Sequence, residues 1–368
     1  MVKSFSRRRF LQTAAALGGA SALGGLKPAG AAMIDVPTVD RLSIRVLVDS
    51  SFDLFFRPSQ INGVSIAPAG ALADFRRSLH NEWGLSLWLE SQRADERRTL
   101  MLDYGYTPEV LANNMELMKV DPARLDALIV SHGHFDHFGG LMGFLDRYRN
   151  VLRPDIKLYA GGEDNFCHRM IRSGTPGQLT DFGTLDRRAL ASKQITTVLA
   201  DQPVIIAGQA FTTGRIKRDS IERVLPNTMV EFGIKDGLGC DSNRYLPADM
   251  VGKVVPDEHT HEHATCFHVK DRGLVVISSC GHAGIVNSVR QAQEVSGIEK
   301  VHAIVGGFHL GPAPKDYLEQ IVAEIRKLKP DVLIPMHCSG LNFVQEARLQ
   351  MPANLLLSTN GSRISFGA

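Results

Sequence analysis

The chain has 368 residues, 44% of them hydrophobic and 22% charged, and 41 Lys and Arg against 39 Asp and Glu give a formal charge of +2. These values belong to an ordinary globular protein. They exclude a disordered chain, a collagen-like fibre and an acidic tail, and they leave no basic footprint for nucleic acid.

Residues 1–32 contain Lys3, Arg7, Arg8, Arg9 and Lys27 and no acidic residue. The run Ser6-Arg7-Arg8-Arg9-Phe10-Leu11-Gln12 reads as a twin-arginine export motif. A weakly apolar Ala/Gly-rich stretch follows, then Ala29-Gly30-Ala31, a small-x-small cleavage site. No segment supplies the roughly 20 apolar residues of a membrane-spanning helix. The expectation is a signal peptide over 1–32, the twin-arginine translocase as a partner during export, no stable membrane anchor, and a folded periplasmic or secreted protein. Without the signal, 36 basic residues face 39 acidic ones, a charge of −3, so the slight basicity belongs to the address. The five cysteines (Cys167, Cys240, Cys266, Cys280, Cys338) are odd in number and lack CxxC spacing. In a protein folded before export they read as mostly free, buried thiols.

One domain is expected over 40–368. Residues 42–49 alternate as a strand does. Leu85–Glu90 and Thr99–Asp103 read as two more strands around a charged Ser91–Arg98 turn, with Trp83 and Trp88 as core or pocket wall. Pro108–Met118 has helical spacing, and Arg124–Val130 is a buried strand ending in His132-Gly133-His134-Phe135-Asp136-His137. Phe138–Arg149 continues as a helix. Residues 163–262 have weak periodicity and read as an insertion. Regular structure resumes with Ala264–Val269 and Gly273–Ser278, which leads to Cys280-Gly281-His282. Val301–Val305 leads to Gly306-Gly307-Phe308-His309, and Asp331–Pro335 leads to His337-Cys338. Ile285–Val295 and Asp316–Leu328 are amphipathic helices. A strand, then a polar loop, then a helix places functional groups at the carboxyl end of the strand.

Four strands therefore end in histidine-bearing loops. Neutral imidazoles with a carboxylate suit zinc, iron or manganese. His132 and His134, two apart, can be aimed from an extended loop at one metal, while Asp136 and His137 at the following helix start can face a second. The run Asp257-Glu258-His259-Thr260-His261-Glu262-His263 adds three histidines at period two. A third metal site, a rim to the main site and a merely exposed strand face are all open readings. Cys280 and Cys338 adjoin proposed ligands and read as buried residues beside them. In the basic loop Thr213–Arg218, Arg215 and Arg218 can grip a phosphate or carboxylate, or the loop is a solvated turn.

Ser131–His137 with Ser279-Cys280-Gly281-His282-Ala283-Gly284 and His337 resembles the hallmark motifs of the metallo-β-lactamase superfamily. The resemblance covers about residues 42–366 and implies an α/β fold, a four-layer αββα sandwich carrying the 163–262 insertion. It implies one or two divalent metal ions, zinc first. His132, His134 and His282 would hold one and Asp136, His137 and His337 the other. The segments Glu82–Ser86, Ser131–Gly140, Thr213–Arg218, Cys280–Asn287, Gly306–Leu310 and His337–Gly340 are similar to a dihydropteroate-synthase-like branch named for 7,8-dihydropterin ribofuranosyl-aminobenzene phosphate synthase. Asp103-Tyr104-Gly105 stands where many members have Asp-x-Gly. The bridging aspartate expected after the third histidine motif is replaced by Gly306-Gly307-Phe308-His309, and His309 either takes its place as a ligand or contacts substrate.

By this likeness, paired metals would activate water against an ester, lactone, phosphoester or amide. Asp136 orients the water and takes its proton, and His309 contacts the oxyanion or leaving group. The partner is a small-molecule substrate, anionic if Arg215 and Arg218 bind it. A transferase joining a pterin to an aromatic amine and a non-catalytic metal-binding protein are the competing readings.

Overall fold

The computed structural model describes residues 33–70, 74–172, 177–225, 228–241 and 248–367. The export motif and cleavage site lie outside the described residues.

Period-two alternation builds the first layer. In Arg41–Val48 the side chains of Leu42, Ile44 and Val46 enter one cluster while Leu47 and Val48 enter another. Ser86–Arg93 splits Leu87 and Leu89 from Trp88, and Ala127–Val130 splits Ala127 and Ile129 from Leu128 and Val130 in the same way. Strands apolar on both faces must be covered on both. These strands lie in a nine-stranded sheet whose order by first residue is Thr196, Lys157, Ala127, Glu96, Ser86, Arg41, Arg363, Val64, Ser59. A second sheet runs Ile205, Ala210, Thr265, Gly273, Val301, Val332, with Thr38–Val39 beside Thr265–Val269.

The two sheets face one another across a shared core that includes Leu87, Ile129, Val275, Val305 and Ile334. The outer face of the first is covered by helices Pro108–Leu117 and Leu141–Tyr148. That of the second is covered by Ile285–Ser296, Lys315–Lys327 and Leu341–Gln350. The result is a four-layer αββα sandwich. Helix starts obey local chemistry: Thr107 Oγ1 accepts from the Val110 N–H ahead of a first-turn proline, which meets an N–H that the helix leaves unpaired. Among the described residues no helix is long and apolar enough to cross a membrane.

Three local expectations change. The charged 91–98 segment is not a turn. Ser86–Arg93 and Glu96–Leu102 pair along their whole length around Ala94, whose φ is +50°. Charged side chains sit well on the solvated end of an antiparallel pair. The helix expected from Phe138 is broken into Phe135–Phe138 and Leu141–Tyr148. Cys167 and Cys240 form a disulfide, while Cys266, Cys280 and Cys338 are free and buried. Folding brings those two Cα atoms to 4.5 Å although 73 positions separate them, a proximity that sequence spacing does not reveal.

The described part of residues 163–262 contributes to four sheets, one of them the two-stranded hairpin Ile234–Gly239. Thr196–Leu199 extends the first large sheet, and 205–212 extends the second. A four-stranded antiparallel sheet, in the order Leu179, His168, Thr228, Val254, stands apart from both.

Candidate metal centre

The histidine loops meet at the carboxyl ends of the strands, and those carrying His132–His137, His282 and His337 are each held by a buried carboxylate from a neighbouring element. Asp103, which follows the strand Glu96–Leu102, accepts from the Ser131 N–H at 2.8 Å and the Ser131 hydroxyl at 2.7 Å. Its Oδ2 also lies 2.7 Å from His137 Nδ1. Asp49 accepts from the His337 N–H at 2.8 Å. Glu262 accepts from the N–H groups of Gly281 and Ala283, at 2.8 and 2.6 Å, on either side of His282.

These contacts assign tautomers. A carboxylate only accepts, so His137 donates from Nδ1 and keeps a lone pair on Nε2. The Ser131 hydroxyl is spent on Asp103, so its oxygen accepts from His132 Nδ1 at 2.9 Å, again leaving Nε2 with the lone pair. Carboxylate-oriented imidazoles of this kind are how proteins present a nitrogen to a metal. His134 differs: its Nε2 is engaged by Thr228 Oγ1 at 3.0 Å and His259 Nε2 at 3.1 Å, so Nδ1 remains. Gly133 has no room for a side chain, because a Cβ there would lie 2.4 Å from the Arg169 guanidinium.

Among the described residues five groups of donors result, one of them His134 with Asp257 and His259, and two hold the six expected ligands. His132, His134 and His282 offer nitrogens within 4.8 Å of one another, and so do Asp136, His137 and His337 in mixed N and O donors. All six are buried, none more than 7% exposed. The His132 and His137 rings stand 4.2 Å apart, linking the groups. Nε2 of His132, His137 and His337, both ring nitrogens of His282, and Asp136 Oδ1 have no hydrogen-bond partner. Unpaired buried polar atoms are costly and rare. Their convergence fits divalent metal ions held by imidazole and carboxylate, which serve zinc, iron and manganese alike.

The electrostatics of the groups differ. Burial holds the imidazoles of His132, His134 and His282 well below their ordinary range, and neighbouring histidines push the same way. All three imidazoles are therefore held in the neutral form, in which a ring nitrogen can donate a lone pair. For His337 burial is outweighed by Cys338, Asp136 and Asp49, and its pKa rises to about 9. His137 is also raised, because Asp136 and Asp103 overcome its burial. Asp136 is lowered despite burial by His137 and by His337, whose Nε2 lies 3.3 Å away.

The remaining expected residues fall in different places. His309, with φ +46°, is half-buried; its ring is 4.1 Å from that of His282 and its Nδ1 3.6 Å from Cys280 Sγ. It groups with Cys280 and Cys338, apart from the six. Arg218 is paired with Glu258 at 2.9 Å, and Arg215 is exposed with its N–H on Asp201 O. His259, His261 and His263 are not exposed: each is at most 2% accessible. The four-stranded sheet covers two of them, supplying Thr228 to His259 and the buried Arg169 to His261 and Asp257. His259 stacks on His282 at 4.0 Å, and His263 bonds Val130 O. Trp88 is core, whereas Trp83 is 57% exposed with its ring 5.0 Å from His337, at the rim of the centre.

Asp49 and Glu262 have roles that the sequence reading did not assign. Asp49 and Asp103 do follow strands directly, which is the signal that marked the histidines.

The metallo-beta-lactamase superfamily pattern matches residues 53–166. The chain is 27% identical over 271 residues, 73% of this chain and 84% of the other, to 7,8-dihydropterin-6-methyl-4-(beta-D-ribofuranosyl)-aminobenzene-5'-phosphate synthase of Methanocaldococcus jannaschii. It is similar in structure to Tm1679, described as a metal-dependent hydrolase of the beta-lactamase superfamily, with a TM-score of 0.62 at 20% identity over 88% of this chain and 98% of that one. Residues 53–166 thus match the metallo-beta-lactamase superfamily pattern, and the chain is similar in fold to Tm1679.

Proposed function

We propose that this protein is a metal-dependent hydrolase of a small ester, lactone or phosphoester. The observation that carries the reading is the pair of donor groups whose unpaired nitrogens and carboxylate oxygen converge from three strand ends. His132, His134 and His282 would hold one divalent ion and Asp136, His137 and His337 the other, zinc being our first choice. Bound metal supplies Lewis acidity and brings the pKa of water toward about 7.

The chain's own residues do the rest. Asp103 fixes the His137 imidazole and, through Ser131, that of His132, so both donors are set before substrate arrives. Asp136 has one oxygen toward His337, and its unpaired Oδ1 orients the attacking water and accepts its proton. His309, beside His282, contacts the developing oxyanion or leaving group. Arg218 binds an anionic substituent by exchanging Glu258 for it, with Arg215 nearby in sequence. The N-terminal motif adds that the protein works outside the cytoplasm after twin-arginine export. Arg7→Lys/Arg8→Lys should keep it in the cytoplasmic fraction, and unchanged fractionation would refute that part.

The test is metal analysis with a hydrolysis panel of lactones, phosphodiesters and sulfate esters run in oxygen-18 water. The expected result is one solvent oxygen in the product, with turnover lost on chelation and in Asp136→Ala. A second reading, a synthase joining a pterin to an aromatic amine, is favoured by the name of the Methanocaldococcus jannaschii relative. It predicts dependence on a second organic substrate and no solvent oxygen in the product.

A further inference from the structure

We infer that Cys280 is a metal ligand standing between the two donor groups, in the role that a bridging carboxylate would otherwise fill. This rests on the metal-centre reading above. Cys280 Sγ lies within 4.8 Å of a ring nitrogen of His132 and of His137, one from each group. The Nε2 atoms of those two histidines are fully buried and unpartnered. A sulfur at that position reaches toward both ions from one point.

The strand Val301–Gly306 explains why a thiol is needed. It ends without a carboxylate, and neither Gly306 nor Gly307 has room for one. A Cβ on Gly306 would lie 1.8 Å from Ser278 O, and one on Gly307 would lie 2.2 Å from Ser279 O and 2.8 Å from Cys338 Sγ. The strand end packs directly onto the loop that carries Cys280, so that loop fills the space a bridging side chain would occupy. The nearby carboxylates are committed elsewhere: Asp103 to Ser131 and His137, Asp49 to the His337 N–H, Glu262 to Gly281 and Ala283. Asp136 already belongs to one of the groups.

Cys280 is also held from behind. Cys338 Sγ is 3.1 Å from Cys280 Sγ, and the His309 N–H donates to Cys338 Sγ at 3.2 Å. Cys338 is therefore a positioning residue, and Cys280 is the sulfur that faces the histidines. On coordination the Cys280 S–H bond breaks, the sulfur–metal bond forms, and the proton leaves to solvent.

The experiment loads the full-length metal-free protein with cobalt(II) and reads the near-ultraviolet thiolate-to-cobalt charge-transfer band against bound cobalt. Wild type, Cys266→Ser and Cys338→Ser should show the band. Cys280→Ser should lose it and bind the second cobalt at least tenfold more weakly. Cys280→Asp should restore two-ion binding without the band. X-ray absorption on wild-type zinc protein, which needs no variant to fold, should show a zinc–sulfur distance of about 2.3 Å. Two cobalt ions bound with no band, or a band that survives Cys280→Ser and vanishes in Cys338→Ser, overturns the inference while the metal centre stands. Failure of wild type to bind metal overturns both.

Discussion

The residues that decide this centre are as much the carboxylates behind the histidines as the histidines themselves. Asp103 orients one imidazole from each donor group. Outer hydrogen bonds of this kind are worth about 10- to 100-fold in metal affinity. Asp103→Asn can donate its amide N–H to the ring and so favours the wrong tautomer of His137. We expect both ions to bind about 10- to 100-fold more weakly, with His137's ion the more affected, by competition against a chromophoric chelator. Equal affinity in the variant would show that Asp103 only fills space.

The two groups should also differ in pH dependence. The imidazoles of His132, His134 and His282 are held down by burial, so at pH 7 their ion displaces no proton. The pKa of His337 is raised to about 9 by Cys338, Asp136 and Asp49, so below that pH an ion bound there would expel a proton. Its apparent affinity should rise about tenfold per pH unit from 7 and flatten above 9, with any proton on the raised His137 steepening the slope. Competition titrations at pH 7, 8 and 9 resolve the two ions. Identical slopes for both would contradict the assignment of His337.

At the scale of elements, what was legible was whatever repeats locally. Strands such as Gly273–Ser278 are uninterrupted apolar runs, and each histidine loop follows one. The hairpin at Ala94 was hidden because charged residues on a solvated strand end look like a turn. The position of His259 was hidden because the four-stranded sheet that supplies its Thr228 partner is made of strands only three to five residues long. Short strands carry too little periodicity to read. The Cys167–Cys240 link ties two parts of this same region together, His168–Arg172 on one side and the Ile234–Gly239 hairpin on the other. A loop of 73 residues corresponds to about 4 kcal/mol of chain entropy. For a domain of this size that is about 5 °C in Tm. Cys167→Ser/Cys240→Ser should lose about this much by calorimetry while Cys266→Ser does not. An unchanged Tm would mean that the sheet holds this region without the bridge.

For the whole molecule, the sandwich brings the unpaired ring nitrogens of His132, His137, His282 and His337 together at one edge of the two sheets, where loops from three different strands converge. Without metal, that edge is stabilised in part by the charged His337 beside Asp136. A histidine whose folded pKa is raised gives stability that is complete below its unfolded value of about 6.5 and is lost as pH climbs through the folded value. The metal-free protein should therefore lose Tm between pH 7 and 9. The metal-bound protein has no proton to lose at His337, and an ion at 100 times its Kd adds about 2.7 kcal/mol, which is about 4 °C for a chain of this length. The gap in Tm between metal-bound and metal-free protein should thus widen from pH 7 to pH 9, because a proton that stabilises the empty edge competes with the ion that fills it. Scanning calorimetry at both pH values, with and without chelator, measures that gap. A gap that narrows with pH would place the titrating proton outside the metal centre.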